Sequence, residues 1–177
     1  SSVGAAGAER LGLRFFDTGL LYRAATWLAR ERAVSPLDTA ALVALVPDLA
    51  IEADDAGRLS RVFVDGRDVS DVVKTPEVDV EVSAYAAVPE LRHALLERQR
   101  AIAAAGGIVM AGRDIGTVVL PGADVKVFLD ASVEERARRR ADERGLGPDD
   151  LERMEILDAL RRRDERDSGR AVAPLRP

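Results

Sequence analysis

Residues 13–32 have the sequence LRFFDTGLLYRAATWLARER, in which a short apolar run passes directly into a helical pattern. The run 13–16 is typical of a buried strand, and Asp17 marks its end. Helical spacing then relates the apolar residues Leu20, Leu21, Ala24, Trp27 and Leu28. A strand followed at once by a helix is the unit from which α/β folds are built, and this stretch therefore sets the expected fold class.

The segments after this unit predict an insertion made of a hairpin and helices. A helix is predicted over 37–46. Residues 49–52 and 61–64 then indicate a β-hairpin, because turn residues separate two short apolar runs. Thr75-Pro76 predicts a helix with a capping hydroxyl and a proline at its first position, and Pro89 begins a second helix that extends to about residue 104. We expect the hairpin to lie outside the main sheet.

Buried strands return in the second half of the chain. Residues 108–110 and 125–129 are short, mainly apolar runs of the kind found in parallel sheets. Between 132 and 135 the pattern Ser-x-x-Glu is a capping box that starts a helix, and a last helix is predicted from about residue 149 towards 167. Strands separated by helices predict a three-layer α/β fold, with a parallel sheet and helices on both faces.

Composition excludes several classes of site. The 177 residues contain no cysteine and one histidine, His93, so a disulfide scaffold, a thiolate metal site and a multi-histidine metal centre are excluded. The net charge of −5 argues against a general nucleic-acid binder, although 26 basic residues are present, of which only Lys74 and Lys126 are lysines. No apolar run approaches the ~18 residues of a membrane span and no signal peptide is recognisable, so a cytoplasmic protein is expected.

Polar residues at the strand ends are the first candidates for a site, because ligands of open α/β sheets bind beyond the carboxyl ends of the strands. These ends are 17–19, 111–114 and Asp130. The absence of a side chain at Gly112 would let an anion approach the backbone beside the guanidinium of Arg113. An ordinary turn closed by an arginine–aspartate pair explains the same residues equally well.

Two further groups of residues are candidates for binding an anion or a base. The following residues share one face of the last predicted helix: Arg163, Arg166, Asp167 and Arg170. Like charges on that face repel unless an anion meets them. The alternative is a solvated helix laced by pairs such as Arg163–Asp167 and Arg162–Glu165. Ser83 and Arg92, on consecutive predicted helices, could read the edge of a base, although ordinary surface positions would explain them as well.

Five motifs in register resemble the bacterial cytidylate kinase family, a branch of the nucleoside monophosphate kinases within the P-loop kinases. The matching pieces are 16–23 (FDTGLLYR), 75–78 (TPEV) with 82–83, 89–100, 112–117 (GRDIGT), and 163–167 (RDERD) with 170–175. Gly-Arg-Asp alone is a weak motif, but the order and spacing of all five hold across almost the whole chain. An enlarged monophosphate-binding subdomain in this family also accounts for the predicted hairpin.

The resemblance implies a reaction and an organisation of the chain. ATP and CMP or dCMP would give ADP and CDP or dCDP, with Mg²⁺ accompanying ATP. A single kinase domain over 1–177 is implied. Its parts would be a P-loop kinase-like core (1–34, 106–136 and 168–177), a monophosphate-binding insertion of hairpin and helices (35–105) and a helical lid (137–167).

Roles for individual residues are implied by position in the family pattern. The residues that resemble the arginines holding the CMP phosphate are Arg23, Arg113 and Arg170. Those that resemble the groups reading cytosine are Ser83, Arg92 and Asp114. Those that resemble phosphate and ribose contacts are Arg163 and Asp167. Further substrate contacts are implied for Asp17, Thr18, Tyr22 and Gly112. A part in catalysis is implied for Arg113, Arg163 and Arg166.

The chain departs from the family pattern at both ends and at two inner positions. The family opens with a strand and a Gly-rich loop that ends Gly-Lys-Ser/Thr, whereas this chain begins at Ser1-Ser2, in the place of the residues after that lysine. Ser1 would match the hydroxyl that contacts Mg²⁺, and Ser1 and Ser2 would lie at the helix end that faces the ATP phosphates. Pro177 stops where the family continues. Ala111 stands where many relatives carry a carboxylate, and Lys74 where an arginine is frequent.

These departures leave two functional interpretations open. In the first, favoured because the substrate residues are intact, the sequence is an excerpt of a working kinase, although this chain alone should transfer phosphate poorly. In the second, it is a nucleotide-binding module without catalysis, because the Gly-rich loop and its lysine are absent. A kinase for another monophosphate is disfavoured by Ser83, Arg92 and Asp114 together. The expected partners are nucleotides, with no nucleic acid or membrane, and the protein is expected to be a monomer.

Overall fold

The computed structural model describes residues 2–147 and 149–168, with only the backbone at 163 and 166–168. The helices in this part of the chain are α1 (Ser2–Leu11), α2 (Gly19–Glu31), α3 (Thr39–Ala44), α4 (Pro76–Tyr85), α5 (Pro89–Ala104), α6 (Val133–Glu143) and α7 (Glu152–Ser168). The strands are β1 (Arg14–Asp17), β2 (Leu49–Ala53), β3 (Arg58–Val64), β4 (Arg67–Asp68) and β5 (Ile108–Ala111). Short 3₁₀ turns lie at Val46–Asp48 and Val72–Lys74, and a π-helical turn lies at Ile115–Val119.

The strands form one mixed sheet in the order β2-β3-β1-β5, with β4 paired to β3. β1 lies parallel to β5, with Arg14 opposite Ile108 and Asp17 opposite Ala111, and it lies parallel to β3 on its other side. β2 and β3 are antiparallel. The predicted parallel pairing is therefore confirmed around β1. The carboxyl ends of β1 and β5 lie side by side, as the predicted site requires.

The hairpin of β2 and β3 is part of this sheet, so the prediction that it lies outside was wrong. β3 begins alongside β1, where Phe15 is opposite Arg58 and Phe16 is opposite Leu59. The edge of β1 carries backbone donors and acceptors that need partners, and the first residues of β3 supply them. Leu59 and Val62 are buried in the same core as Phe16. Pairing at this distance along the chain cannot be read from the local pattern of the hairpin.

Helices cover both faces of β1, which confirms the predicted layers. Phe15 and Phe16 point to opposite faces of the strand, and both side chains are buried. α1 contacts β1 and β5, and α2 contacts β2 and β3. α2 buries Leu21, and α5 buries Leu91 and Leu95, in the cluster that contains Phe16. Full burial of each leucine stabilises the fold by about 1.5–3 kcal/mol, so this cluster holds α2 and α5 against the sheet.

α4 and α5 begin at the two predicted prolines, Pro76 and Pro89. The capping hydroxyl predicted at Thr75 was wrong, because this side chain makes no capping bond to the helix. The Glu77 carboxylate accepts hydrogen bonds from its own backbone N–H and from the Thr75 hydroxyl. Both bonds lower the pKa of Glu77, and the backbone N–H has the larger effect. The hydroxyl is therefore used by a neighbouring side chain in place of the helix amides.

The strand predicted at 125–129 was also wrong. These residues form no strand, and the side chains of Val125, Val127 and Leu129 are exposed to solvent. A strand is stable only where a neighbour pairs with its backbone groups, and none of the described strands pairs with this segment. An apolar run shows a preference for burial, but it does not show which partner is present.

A helical hairpin forms the second of two compact units, which begins after Ile115. α6 and α7 lie antiparallel and pack around a small apolar cluster that includes Ala137 and Ile156. The Ser132 hydroxyl accepts a hydrogen bond from the backbone N–H of Glu135 at 3.2 Å, which confirms the predicted cap of α6. None of the described helices is both long enough and apolar enough to cross a membrane.

Candidate functional site

Thr18 ties the ends of β1 and β5 together. Its backbone N–H and its hydroxyl both donate to the carbonyl oxygen of Ala111, at 2.9 and 3.1 Å, and its side chain is buried. Asp17 turns the chain into α2, since its Oδ1 accepts from the N–H of Gly19 at 3.1 Å. A carboxylate at a helix N-terminus also interacts favourably with the helix dipole. The polar edge predicted for the sheet is therefore built, and Thr18 holds it in shape.

Gly112 has a packing reason to be glycine. A Cβ at this position would lie 2.5 Å from Thr18 Oγ1 and 2.8 Å from Ile115 Cδ1, which is closer than real side chains approach. The space freed by the missing side chain is thus taken by Thr18 and Ile115. Approach of an anion to this backbone stays a prediction. The next residue, Arg113, is half-buried in the same turn.

Arg92 and Asp114 form a buried ion pair. Nη2 of Arg92 donates to Oδ2 of Asp114 at 2.6 Å, and the two side chains are only 9 and 12% exposed. Nη1 of Arg92 donates to the carbonyl oxygen of Ala86 at 3.3 Å. The guanidinium also lies over the ring of Tyr22, 5.5 Å from its centroid, within the range of a cation–π contact. The structure therefore brings together three of the predicted substrate residues from α2, α5 and the turn after β5.

One hydrogen-bond donor of this pair has no partner. The Nε–H of Arg92 is buried and bonds to none of the residues that the structure describes. Leaving a buried donor unpaired costs about 1–3 kcal/mol, so folded proteins rarely tolerate one without a reason. A polar ligand that accepts a hydrogen bond from this Nε–H would satisfy the remaining donor of the Arg92 guanidinium.

Arg23, the residue after Tyr22 on α2, forms an ion pair with Asp79 of α4. Both side chains are about four-fifths buried. Ser83 is half-buried on the same face of α4 as Asp79, because four residues separate them. Asp79 was not among the residues predicted from the sequence. Its spacing from Ser83 was the signal that could have identified it.

Several of the predicted site residues fall partly or wholly outside the residues that the structure describes. α7 runs to Ser168, so the spacing of three and four does place 163, 166 and 167 on one helical face. The side chains at these positions, and the whole of Ser1 and Arg170, lie outside the described residues. Ser2 is the first residue of α1 and is exposed. The roles assigned to these positions stay predictions.

Ion pairs hold α6 against α7 in the second unit. Both Nη atoms of Arg136 donate to the carboxylate of Asp164, and this hydrogen-bonded carboxylate raises the pKa of Arg136. Arg161 pairs with Glu134 at 3.1 Å. Charged side chains described on α7 thus stabilise the helical hairpin itself.

Comparison with known proteins identifies the family. The family model described as cytidylate kinase matches residues 1–177. The bifunctional pantoate ligase/cytidylate kinase of Synechococcus sp. (strain CC9902) is 46% identical over 179 residues, which cover 99% of this chain and 37% of that protein. The cytidylate kinases of Geobacillus sp. (strain WCH70) and Pseudomonas entomophila (strain L48) are 46 and 45% identical over 172 and 173 residues, which cover 96% of this chain and 75% of each relative.

The chain thus spans little more than a third of the bifunctional relative and three quarters of the other two. The matches confirm the predicted family and its α/β fold class. They do not favour the alternative of a module without catalysis. Because the family match covers the entire chain, we conclude that this chain belongs to the cytidylate kinase family.

Proposed function

We propose that the protein transfers the γ-phosphate of ATP to CMP or dCMP, giving ADP and CDP or dCDP. Phosphorylation of a nucleoside monophosphate is the reaction that the family match supports. The choice of base rests on one observation, the buried Arg92–Asp114 pair with its unpartnered Nε–H.

A fixed guanidinium beside a fixed carboxylate is complementary to the edge of cytosine. The N4 amino group of cytosine donates hydrogen bonds, which the Asp114 carboxylate can accept, and the ring nitrogen and oxygen accept them, which Arg92 can donate. Uracil carries a carbonyl oxygen in place of the amino group. This oxygen would face the Asp114 carboxylate, and no hydrogen bond could form because both groups only accept hydrogen bonds. When a substrate analogue would leave buried polar groups of a site unpaired, the site rejects that analogue strongly. The pair therefore favours cytosine over uracil.

Arg23 and Arg113 supply positive charge for the substrate phosphate. A guanidinium holds two phosphate oxygens at once through its planar fork. Arg23 lies on α2 and Arg113 in the turn after β5, at the edge of the sheet where the carboxyl ends of β1 and β5 meet. The family resemblance adds Arg163, Arg166 and Arg170 as further phosphate contacts. Phosphoryl transfer requires alignment of the reactants and neutralisation of charge more than covalent chemistry, and arginines supply both.

Magnesium accompanying ATP is part of this proposal. Among the described residues no three carboxylate or histidine side chains gather, so this part of the chain forms no metal cage of its own. Mg²⁺ in nucleotide sites is held by phosphate oxygens, waters and one or two protein ligands, and a site without a cage is consistent with that chemistry. Ser1, the residue predicted to contact the ion, lies outside the described residues. The bound ion would neutralise charge on the ATP phosphates.

Comparing acceptors with the intact protein tests the proposal. ADP formation from ATP and Mg²⁺ is measured with CMP, dCMP, UMP or AMP as acceptor. We expect kcat/KM for CMP to exceed that for UMP by on the order of 100-fold or more. Asp114→Asn, whose amide can donate to the uracil oxygen, should narrow this ratio, whereas the exposed Glu97→Gln on α5 should leave it unchanged. Equal use of CMP and UMP, or a ratio insensitive to Asp114→Asn, contradicts the proposal.

A further inference from the structure

Two ion pairs join α2 to α4. Arg23 pairs with Asp79, and Arg30, two turns further along α2, pairs with Glu81 at 3.2 Å. The side chains of the first pair are 21 and 19% exposed, against 35 and 43% for the second. The two contacts therefore join the same helices with the same chemistry, but only the first includes a residue assigned to the substrate phosphate.

Asp79 also shares a face of α4 with Ser83. The two residues are one helical turn apart, and the family resemblance assigns Ser83 to reading the base of the monophosphate. One face of α4 thus carries a base-reading hydroxyl and, one turn earlier, the carboxylate that contacts Arg23. The phosphate end and the base end of one small substrate are linked through this helix.

We propose that Asp79 is a positioning residue, which fixes the Arg23 guanidinium against α4 so that the phosphate is presented at a set distance from the base-reading face. This inference rests on the proposed function, since it takes Arg23 as a phosphate contact. Asp79 itself touches no reacting atom. It acts through the direction in which it holds Arg23.

A carboxylate beside a phosphate-binding arginine has two opposite effects on the substrate. It orders the long arginine side chain, which favours binding, and it neutralises part of the positive charge, which opposes the binding of an anion. The low exposure of the Arg23–Asp79 pair decides between them. Loss of this carboxylate leaves the charge of Arg23 less compensated at a largely buried position, which favours orientations that reach solvent over the ordered one. Ordering should therefore dominate, and removal of the carboxylate should weaken binding.

The experiment compares CMP with cytidine, which has the same base and sugar but no phosphate, by titration calorimetry on the intact protein. Asp79→Asn keeps the shape of the side chain and removes its charge. We expect it to weaken CMP binding about tenfold, the size of a lost interaction with a charged group, and to leave cytidine and ATP binding unchanged. Glu81→Gln is the matched control, because it removes the neighbouring α2–α4 ion pair without touching Arg23.

A second measurement separates positioning from general stability. In an Arg23→Gln background, Asp79→Asn should cause no further loss of CMP affinity, because the residue through which it acts is already absent. All variants are compared at a temperature at which thermal unfolding shows each to be folded. This cycle remains informative even when Asp79→Asn lowers the unfolding temperature.

Each other outcome overturns the inference. CMP binding to Asp79→Asn that is unchanged or tighter would show that the carboxylate only neutralises charge or does nothing. Equal losses for CMP and cytidine, or an equal loss in Glu81→Gln, would show that the pair is a brace between helices. If the unaltered protein binds no CMP, the proposed function fails, and the inference fails with it. Normal CMP binding combined with an inert Asp79 overturns the inference alone.

Discussion

Replacing Asp114 by alanine should destabilise the fold and weaken the use of CMP more than the use of ATP. The change removes the carboxylate that Arg92 contacts at 2.6 Å and leaves a guanidinium that is only 9% exposed without its counter-ion. Arg92 would keep its hydrogen bond to the Ala86 carbonyl and its contact with the Tyr22 ring. Neither of these groups carries the negative charge that the guanidinium needs.

The size of the effect follows from the burial of the pair. Removing one partner of a buried ion pair costs about 3–5 kcal/mol. Because Arg92 keeps its bond to a carbonyl and Asp114 is not fully buried, we expect the lower end, about 3 kcal/mol in the free energy of unfolding. For a chain of this size, that lowers the midpoint of thermal unfolding by roughly 6–12 °C. A lost hydrogen bond between a charged group and the base should raise KM for CMP roughly 10- to 150-fold.

Thermal unfolding and steady-state kinetics with both substrates measure these quantities. Glu97→Ala is the control, since Glu97 pairs with Arg100 on the same helix but the two side chains are 62 and 45% exposed. An exposed pair of this kind contributes less than about 1 kcal/mol. Equal losses of unfolding free energy in Asp114→Ala and Glu97→Ala, or equal rises in KM for CMP and ATP, would refute the reasoning.

Gly112→Ala should destabilise the protein by about 1–3 kcal/mol in thermal unfolding, whereas Gly122→Ala, with nothing within 4 Å of the new Cβ, should be nearly neutral. Burial raises the pKa of Asp54, but hydrogen bonds within the hairpin turn outweigh it and lower the pKa from 3.8 to about 2. The stability that Asp54 contributes is therefore complete above about pH 4 and is lost as the pH falls towards 2, and acid unfolding of Asp54→Asn should depend less on pH in that window. Arg136→Ala, which removes the contact with α7, should speed amide hydrogen exchange in α6 and α7, whereas Arg139→Ala, whose partner lies on its own helix, should not. Binding of an analogue that carries both nucleotides should slow amide hydrogen exchange across 138–168. Equally slow exchange with and without the analogue would indicate a rigid charged hairpin.

Elements defined by local pattern could be predicted from the sequence. The bounds of α5 agree with the prediction, because proline favours the first helical position and the apolar residues recur every three or four positions. β1 and α2 follow the predicted strand and helix closely, and the Ser132 cap of α6 is in place. In each case the residues that determine the element lie within a few positions of one another.

Two of the errors arose where an element depends on distant partners. β3 joins the main sheet because β1 has an edge to be paired, and residues 125–129 form no strand because no described strand pairs with them. Both segments have the composition of a strand. Whether and where such a segment pairs depends on backbone groups contributed by other parts of the chain.

The sequence by itself determined the family, through five motifs in register, and the identities of the residues assigned to the site. Only the tertiary structure decided how those residues are used. Arg92 meets Asp114 across 22 residues, and Arg23 meets Asp79 across 56. Whether a charge is buried and paired depends on distances between side chains far apart along the chain, and no local pattern contains those distances. The spacing of Asp79 from Ser83 places both on one face of α4, but the contact of Asp79 with Arg23 is not visible in the sequence for the same physical reason. The need for glycine at position 112 likewise became clear only from its contacts with Thr18 and Ile115.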